Sequence, residues 1–425
     1  MVKDTLEIGG KSLISLTEKY GTPLYVYDVE KIRDNARAFV HTFKKQGIDF
    51  QVAYASKAFS SIAMLQVAKQ EELSLDVVSE GELYTAIQAG FPAEKIHLHG
   101  NNKSISELEM AIEHEVGCIV IDNFHEIDLL SAILKEKNKK VNALIRITPG
   151  IEAHTHEYIL TGQEDSKFGF DLLSNQAEQA VNTILNQENI HLLGVHSHIG
   201  SQIFETTGFE MTVKSLYNAL SRWKEQYDFD AEVINLGGGF GIKYTEDDQP
   251  LPLSNYVTAL VKSVKQCAIE HNLSVPEIWI EPGRSIVGDA GVTVYEIGAI
   301  KDIPGVRKYV SVDGGMTDNI RPALYQAEYD AVVLNKLEKR NEETVAIAGK
   351  CCETGDMLIW DLEVPKIESG DYLAVFSTGA YGYSMASNYN RFPKAAVVFV
   401  ENGEDNLVIK REEIQDLTRF DLSYE

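Results

Sequence analysis

Apolar residues recur along this chain in two rhythms. From position 49 onward, short apolar runs at about 49–57, 73–79, 95–100, 117–123, 141–149, 190–198, 230–237 and 276–282 alternate with stretches whose apolar positions return at helical spacing. That alternation predicts eight strands, most of them separated by helices. It matches a (β/α)8 TIM-like barrel better than an open doubly wound sheet, and the span is close to the ~250 residues such barrels use. A helix is expected from Asp28, with Asp28 as its cap and Ile32, Ala36, Phe39, Val40 and Phe43 on one face. Two further helix starts, Ser79-Glu80-Gly81-Glu82 and Ser104-Ile105-Ser106-Glu107, carry the capping-box pattern. Past residue 286 the rhythm becomes strict alternation, as in V-T-V-Y-E-I from Val292, Y-V-S-V-D from Tyr309 and A-V-V-F-V from Ala396. The run P-L-Y-V-Y at 23–27 reads as a strand whose sheet partners lie in that later region. The expected fold class is therefore α/β plus β, with a barrel over 28–285 and a β-rich domain built from 1–27 and 286–425.

Composition narrows the function. The chain has 425 residues, 44% of them hydrophobic, which is core material for two domains. Its formal charge of −25 argues against nucleic acid or an anionic membrane as partner and leaves a small molecule as the expected ligand. The start lacks a basic and apolar leader pattern, and no run approaches the roughly 18 apolar residues of a membrane span. A soluble, cytoplasmic protein is expected. Cys118, Cys267, Cys351 and Cys352 form neither a disulfide framework nor the paired spacing of a zinc site, so no metal is expected.

In a barrel, chemistry sits at the C-terminal ends of the strands. Those ends carry Lys57, Ser79, Gly100, Asn123, the run H-S-H-I-G-S-Q from His196, Gly237-Gly238-Gly239, and Glu281-Pro282-Gly283-Arg284. Lys57 follows an apolar strand and has small residues on both sides. This predicts a dry, crowded seat that would favour Schiff-base chemistry; the alternative is a lysine that only reaches solvent. The three glycines would let exposed backbone N–H groups approach an anion, or simply make a tight turn; they lack nucleotide P-loop spacing. They end the seventh expected strand and Arg284 the eighth, where barrels commonly bind phosphate. His196 and His198 are expected to face opposite ways, one toward the interior where it can stack on a flat ring and one without a role, which also counts against a metal. Glu281 could pair with Arg284. Arg321 and Tyr381 each read as structural when taken singly. The polar insertion at 151–170 is long enough to suggest a functional loop.

Taken together, A-Y-A-S-K-A, H-S-H-I-G-S-Q, G-G-G-F-G, E-P-G-R, C-C-E-T-G-D and G-A-Y, in this order along nearly the whole chain, resemble the barrel-fold group of pyridoxal-phosphate decarboxylases. The resemblance implies an N-terminal barrel, a C-terminal β-domain of Greek-key barrel or sandwich kind, and a homodimer whose sites are completed across the interface. It implies that Lys57 carries pyridoxal 5'-phosphate, that His198 stacks on its ring, that Ser201, Gly239, Arg284 and Tyr381 hold its phosphate, and that Gly238, Pro282 and Gly283 also bind the cofactor. Glu281 would face the ring nitrogen, which favours decarboxylation over racemisation. Arg284, Arg321 and Tyr325 would hold the far carboxylate of the substrate, Tyr381 would also contact the substrate, Glu353 of the opposite subunit would take its far ammonium, and Cys352 would donate a proton, with Cys351 structural. The segment 161–169 would be a mobile lid. The family's S-R-P-R-P after Y-N is replaced here by Arg391-Phe392-Pro393-Lys394, which leaves that segment's contacts open. The expected substrate is an amino acid with a second amino-acid group at its far end. A polyamine-pathway decarboxylase and a catalytically silent cofactor binder remain as alternatives.

Overall fold

The computed structural model describes residues 5–151 and 166–425. The chain forms two compact units, one comprising 35–241 and 250–285, the other comprising the residues through Asp34, 242–249 and 286–425.

The first unit is a closed barrel of eight parallel strands: β1 (Phe50–Ala55), β2 (Ser74–Val77), β3 (Ile96–Leu98), β4 (Cys118–Ile121), β5 (Val141–Thr148), β6 (Ile190–His196), β7 (Val233–Asn235) and β8 (Glu277–Ile280). Each expected apolar run is a strand, shortened at its ends. β8 pairs with β1 at Ile278 and Phe50, and β5 pairs with β6 at Val141 and Ile190, which closes the ring. The strands are buried on both faces because helices cover the outside, so they read as continuous apolar runs rather than alternating ones. Phe43, on the helix Val29–Gln46, stacks on Phe50 at the start of β1 with centroids 4.9 Å apart.

Helix starts follow local chemistry. Ser104 and Glu107 make a complete capping box, and Asn123 accepts the Glu126 N–H at 3.0 Å. Ser79 accepts the Glu82 N–H at 3.2 Å, but the expected return bond is missing: the Glu82 carboxylate accepts the Val78 N–H and the Ser56 hydroxyl instead, each at 2.8 Å. That box is only half formed, because the carboxylate is recruited to the turn that carries Lys57.

The second unit is a mixed nine-stranded sheet. Leu24–Asp28 lies between Gly291–Ile303, antiparallel, and Ala396–Glu401, parallel, so the early P-L-Y-V-Y run finds its partners where expected. Asp28 caps the following helix by accepting the Lys31 N–H at 3.1 Å. The long strand Gly291–Ile303 serves two apolar clusters from its two faces, Tyr295 and Ile297 joining the one around Val310, Ile347 and Leu373, and Val292 and Val294 the one around Leu16, Leu24, Val26 and Val398. The short segment 242–249 contributes Ile242 and Tyr244 to the first of these. Among the described residues no helix is long and apolar enough to cross a membrane.

The glycine turn after β7 is set by packing. A Cβ on Gly238 would lie 2.1 Å from the Glu281 carbonyl oxygen, and one on Gly239, at φ +93°, 2.2 Å from the Gly200 carbonyl oxygen. Both obstacles are backbone and cannot swing away. Gly238→Ala is therefore expected to destabilise the barrel by about 3 kcal/mol or more. Gly47→Ala should cost only about 1 kcal/mol, the left-handed penalty, since nothing lies within 4 Å of that position at φ +59°. Urea unfolding of the two variants beside the parent checks the contrast.

Candidate active site

The site is built from the C-terminal mouth of the barrel. In β3 the sequence I-H-L-H places His97 and His99 on the same side, two residues apart, and Trp279 and Glu281 bear the same relation at the end of β8. The four side chains meet in two tiers. Below, His97 stacks on Trp279 at 4.3 Å with the rings 9° from parallel, next to an apolar layer of Cys118, Val120, Leu144 and Val233. Burial there pushes the His97 imidazole down to about 3, so it is neutral. Above, His99 Nε2 lies 2.8 Å from Glu281 Oε1, and His196 Nε2 meets Glu281 Oε2 at 3.0 Å. The Asn235 amide donates to Glu281 Oε1 at 2.6 Å.

Glu281 thus sits nearly out of solvent with three polar groups around it. Burial on its own would raise this carboxyl, but His99 and His196 outweigh it and hold it well below the usual carboxylate range. Asp76, 3.8 Å from His99 Nε2, is raised by burial to about 6, with His99 offsetting only part of the rise. His99, His196 and Glu281 are close enough together to hold a metal ion. Their direct contacts with one another account for the cluster without one.

Several expectations change here. His196 is not idle: it is a partner of Glu281. The expectation that it and His198 face opposite ways applied the strand alternation wrongly, since residues two apart share a face. β6 also ends at His196, so His198 belongs to the following loop. There the half-buried His198 accepts the Gly238 N–H through Nδ1 at 3.4 Å, and burial, with the charges of Lys57 and Arg146, keeps it neutral. The Gly237 N–H goes to Asn235 Oδ1 at 2.9 Å. Two of the three glycine N–H groups therefore already have acceptors, Asn235 for Gly237 and His198 for Gly238, and the expectation that they stand exposed for an anion does not hold for these two. Glu281 does not pair with Arg284; Arg284 Nη2 donates to Ser201 Oγ at 3.0 Å. A hydroxyl and a guanidinium side by side after β6 and β8 make an anion-compatible donor set.

Lys57 is exposed, in a one-turn 3-10 helix just past β1, and not in the dry seat its neighbours suggested. Those small neighbours have another function. Ala55 and Ala58 pack on the E-P-G-R turn, where a Cβ on Gly283 would come within 3.0 and 3.1 Å of their methyl groups, and the Ala55 N–H donates to the Pro282 carbonyl at 3.2 Å. The Ser56–Glu82 bond holds the same turn from the other side.

The remaining candidates lie in the second unit. Arg321 is buried, donates through Nη1 to the Tyr329 hydroxyl, and sits 5.0 Å from the Tyr244 ring centroid. Tyr325, although one helical turn on, is 62% exposed and shares none of these partners. In the C-C-E-T-G-D loop, Asp356 is the anchor: its buried carboxylate accepts the Met316 N–H at 2.6 Å and the Cys351 N–H at 2.8 Å. Cys351 is buried, with its thiol pushed up to about 11 by burial, whereas Cys352 and Glu353 are exposed. Tyr381 adopts φ +62° in a loop whose Gly379 carbonyl accepts the Tyr27 hydroxyl at 2.8 Å. Most of the proposed lid, 161–165, lies outside the described residues.

His97, His99 and Asn235 were missed in the sequence reading. The signals were present: histidines at i and i+2 on a strand, and an asparagine inside the apolar V-I-N-L, a polar group that burial obliges to find partners.

Residues 29–288 match the family described as "Pyridoxal-dependent decarboxylase, pyridoxal binding domain". The chain is 63% identical to the diaminopimelate decarboxylase of Bacillus methanolicus, over 97% of this chain and 96% of the relative. It is 61% identical to that of Bacillus subtilis (strain 168), over 99% and 95%. Among solved structures it resembles the diaminopimelate decarboxylase of M. jannaschii in co-complex with L-lysine, with TM-score 0.94, 35% identity, and coverage of 100% of this chain and 97% of that one.

The Glu281 cluster predicts a pH signature. The folded pKa of Glu281 is depressed, so the stability it lends is present above the unfolded value of ~4.3 and is lost as pH falls through the folded one. Glu281→Gln is expected to be less stable than the parent by about 2 kcal/mol at neutral pH, with the gap narrowing in acid. Urea titrations at stepwise lower pH check both the size and the sign.

Proposed function

We infer the reaction from the premise that the chain belongs to the pyridoxal-dependent decarboxylase family. It is a carboxy-lyase that uses pyridoxal phosphate and converts meso-2,6-diaminopimelate to L-lysine and carbon dioxide, the last step of lysine biosynthesis. Supporting this are the near-full-length identity to two diaminopimelate decarboxylases and the structural likeness to one complexed with L-lysine. The single geometric observation that carries the chemistry is the buried Glu281 carboxylate, held ionised by His99 and His196.

The residues present fit the cofactor. Lys57, exposed at the end of β1, would carry it through its amine, with Ser201, Gly239 and Arg284 at its phosphate and Gly238, Pro282 and Gly283 in the same cofactor site; the family resemblance adds Tyr381 to the phosphate. The neutral imidazole of His198 would lie on the ring face and add no second positive charge. When bound, the cofactor supplies an electron sink that is strongest with its ring nitrogen protonated, a state an ionised carboxylate at Glu281 favours. Asn235 and His196 keep that carboxylate aimed. On the substrate side, the family resemblance assigns the far carboxylate to Arg284, Arg321 and Tyr325, a further substrate contact to Tyr381, and the far ammonium to Glu353. Cys352 Sγ would return a proton to the carbon that loses carbon dioxide. A buried guanidinium at Arg321 suits a far carboxylate and disfavours purely cationic tails such as that of ornithine. We also propose a cytoplasmic homodimer with shared sites; the exposure of Leu324, Tyr325 and Glu353 in the single chain supports a covered surface there, and the free thiols suit a reducing compartment.

Carbon dioxide release measured side by side on diaminopimelate and ornithine is expected to favour diaminopimelate strongly; turnover of ornithine alone would overturn the substrate. Lys57→Ala should abolish both turnover and the visible absorbance of bound cofactor. Mixing inactive Lys57→Ala with inactive Glu353→Gln should restore about a quarter of parental activity if subunits exchange and sites are shared, since half of randomly paired dimers then hold one intact site; no recovery despite subunit exchange would reject sharing.

A further inference from the structure

The Y-N pair Tyr389-Asn390, just ahead of the segment that departs from the family pattern, makes contacts with the C-C-E-T-G-D loop. In the turn Tyr389–Arg391, the Asn390 side-chain oxygen accepts the Cys352 N–H at 2.7 Å, and the Tyr389 hydroxyl reaches a Glu353 carboxylate oxygen at 3.4 Å. Lys350, just ahead of the loop, lies 4.5 Å over the Phe392 ring. Tyr389, Asn390 and Phe392 therefore hold the loop and the residue ahead of it, in addition to the buried Asp356 anchor.

The grip requires an unusual backbone. Asn390 and Arg391 are consecutive non-glycine residues in the left-handed region, at φ +51° and +61°. Such a conformation persists only where the surroundings over-determine it. Here the C-terminal segment supplies that constraint: Arg391 donates to the Leu417 carbonyl and pairs with Asp421 at 2.9 Å, while the Glu412 carboxylate accepts from Asn388 at 2.6 Å and from the Lys394 N–H at 2.9 Å. Asn is also one of the few side chains that tolerates this region while offering an acceptor.

We propose that Asn390 is a positioning residue for the reaction: braced by the C-terminal segment through Arg391, it sets the place of Cys352 and Glu353 through its bond to the Cys352 N–H. The proposal rests on Cys352 and Glu353 serving the reaction as read above. It gives the departing residue Arg391 the part of a brace for that latch, through its bonds to Leu417 and Asp421.

Two substitutions separate the latch from simple folding. Asn390→Gly keeps and eases the left-handed backbone but removes the acceptor; Asn390→Asp keeps an acceptor oxygen in place. In the holoenzyme, Asn390→Gly is expected to show kcat/KM on diaminopimelate lowered roughly tenfold, a raised KM, an unchanged or higher Tm, and faster hydrogen exchange in the peptide containing the Cys352 amide. Asn390→Asp should restore turnover and protection together. Turnover of Asn390→Gly within twofold of the parent, or Asn390→Asp as impaired as Asn390→Gly, overturns the latch. Cys352→Ala and Glu353→Gln assayed alongside keep the two readings apart: a defect in these with none in Asn390→Gly rejects the latch alone, and full activity in both rejects the assigned loop roles and the latch with them.

Discussion

A carboxylate buried at the mouth of a barrel must be either neutralised or surrounded. Glu281 is surrounded: His99, His196 and the Asn235 amide reach it from three different strand ends, and together they overcome the desolvation that would otherwise protonate it. The proposed chemistry depends on this balance: an ionised Glu281 would keep the cofactor's ring nitrogen protonated, and a protonated ring would take up the electrons released with carbon dioxide. Asp76 shows the alternative in the same mouth, since with fewer donors its carboxyl is driven up.

The same contacts tie the electrostatics to the backbone. Asn235 donates to Glu281 and accepts from Gly237, so the orientation of the carboxylate and the shape of the glycine turn are one construction. Gly238 packs on the Glu281 carbonyl, and Gly283, two residues past Glu281, packs on the alanines that flank Lys57. Small residues here act by letting three turns approach within van der Waals contact, which fixes where the functional side chains emerge. The exposure of Lys57 follows from the same arrangement, because the alanines are occupied with packing and do not wall in the amine.

The second unit uses a different device. Its reactive candidates lie on loops held from behind by buried carboxylates or side-chain bonds: Asp356 behind Cys351, Asn390 behind Cys352, Tyr27 behind the loop of Tyr381. Arg321 is set between the rings of Tyr244 and Tyr329, so its planar guanidinium is oriented before any ligand arrives. Cys351 and Cys352 are neighbours in the chain with opposite fates, one sealed and one open, because only the first has its backbone tied to Asp356.

The order of strands and helices and the early strand that joins the late sheet were readable in the chain itself, because periodicity and short-range capping are local properties of neighbouring residues; the roles of the motif residues came only from the family resemblance. Partnership was not readable. That Glu281 would meet His99 and His196 and leave Arg284 to Ser201, that Glu82 would leave its capping box for Ser56, that Tyr244 would join the distant sheet beside Arg321, and that Lys57 would stand exposed, all depend on contacts between residues tens to hundreds of positions apart. A run of residues carries its own rhythm. Which side chain fills the space beside another is set only when barrel closure and sheet pairing bring distant strand ends into register.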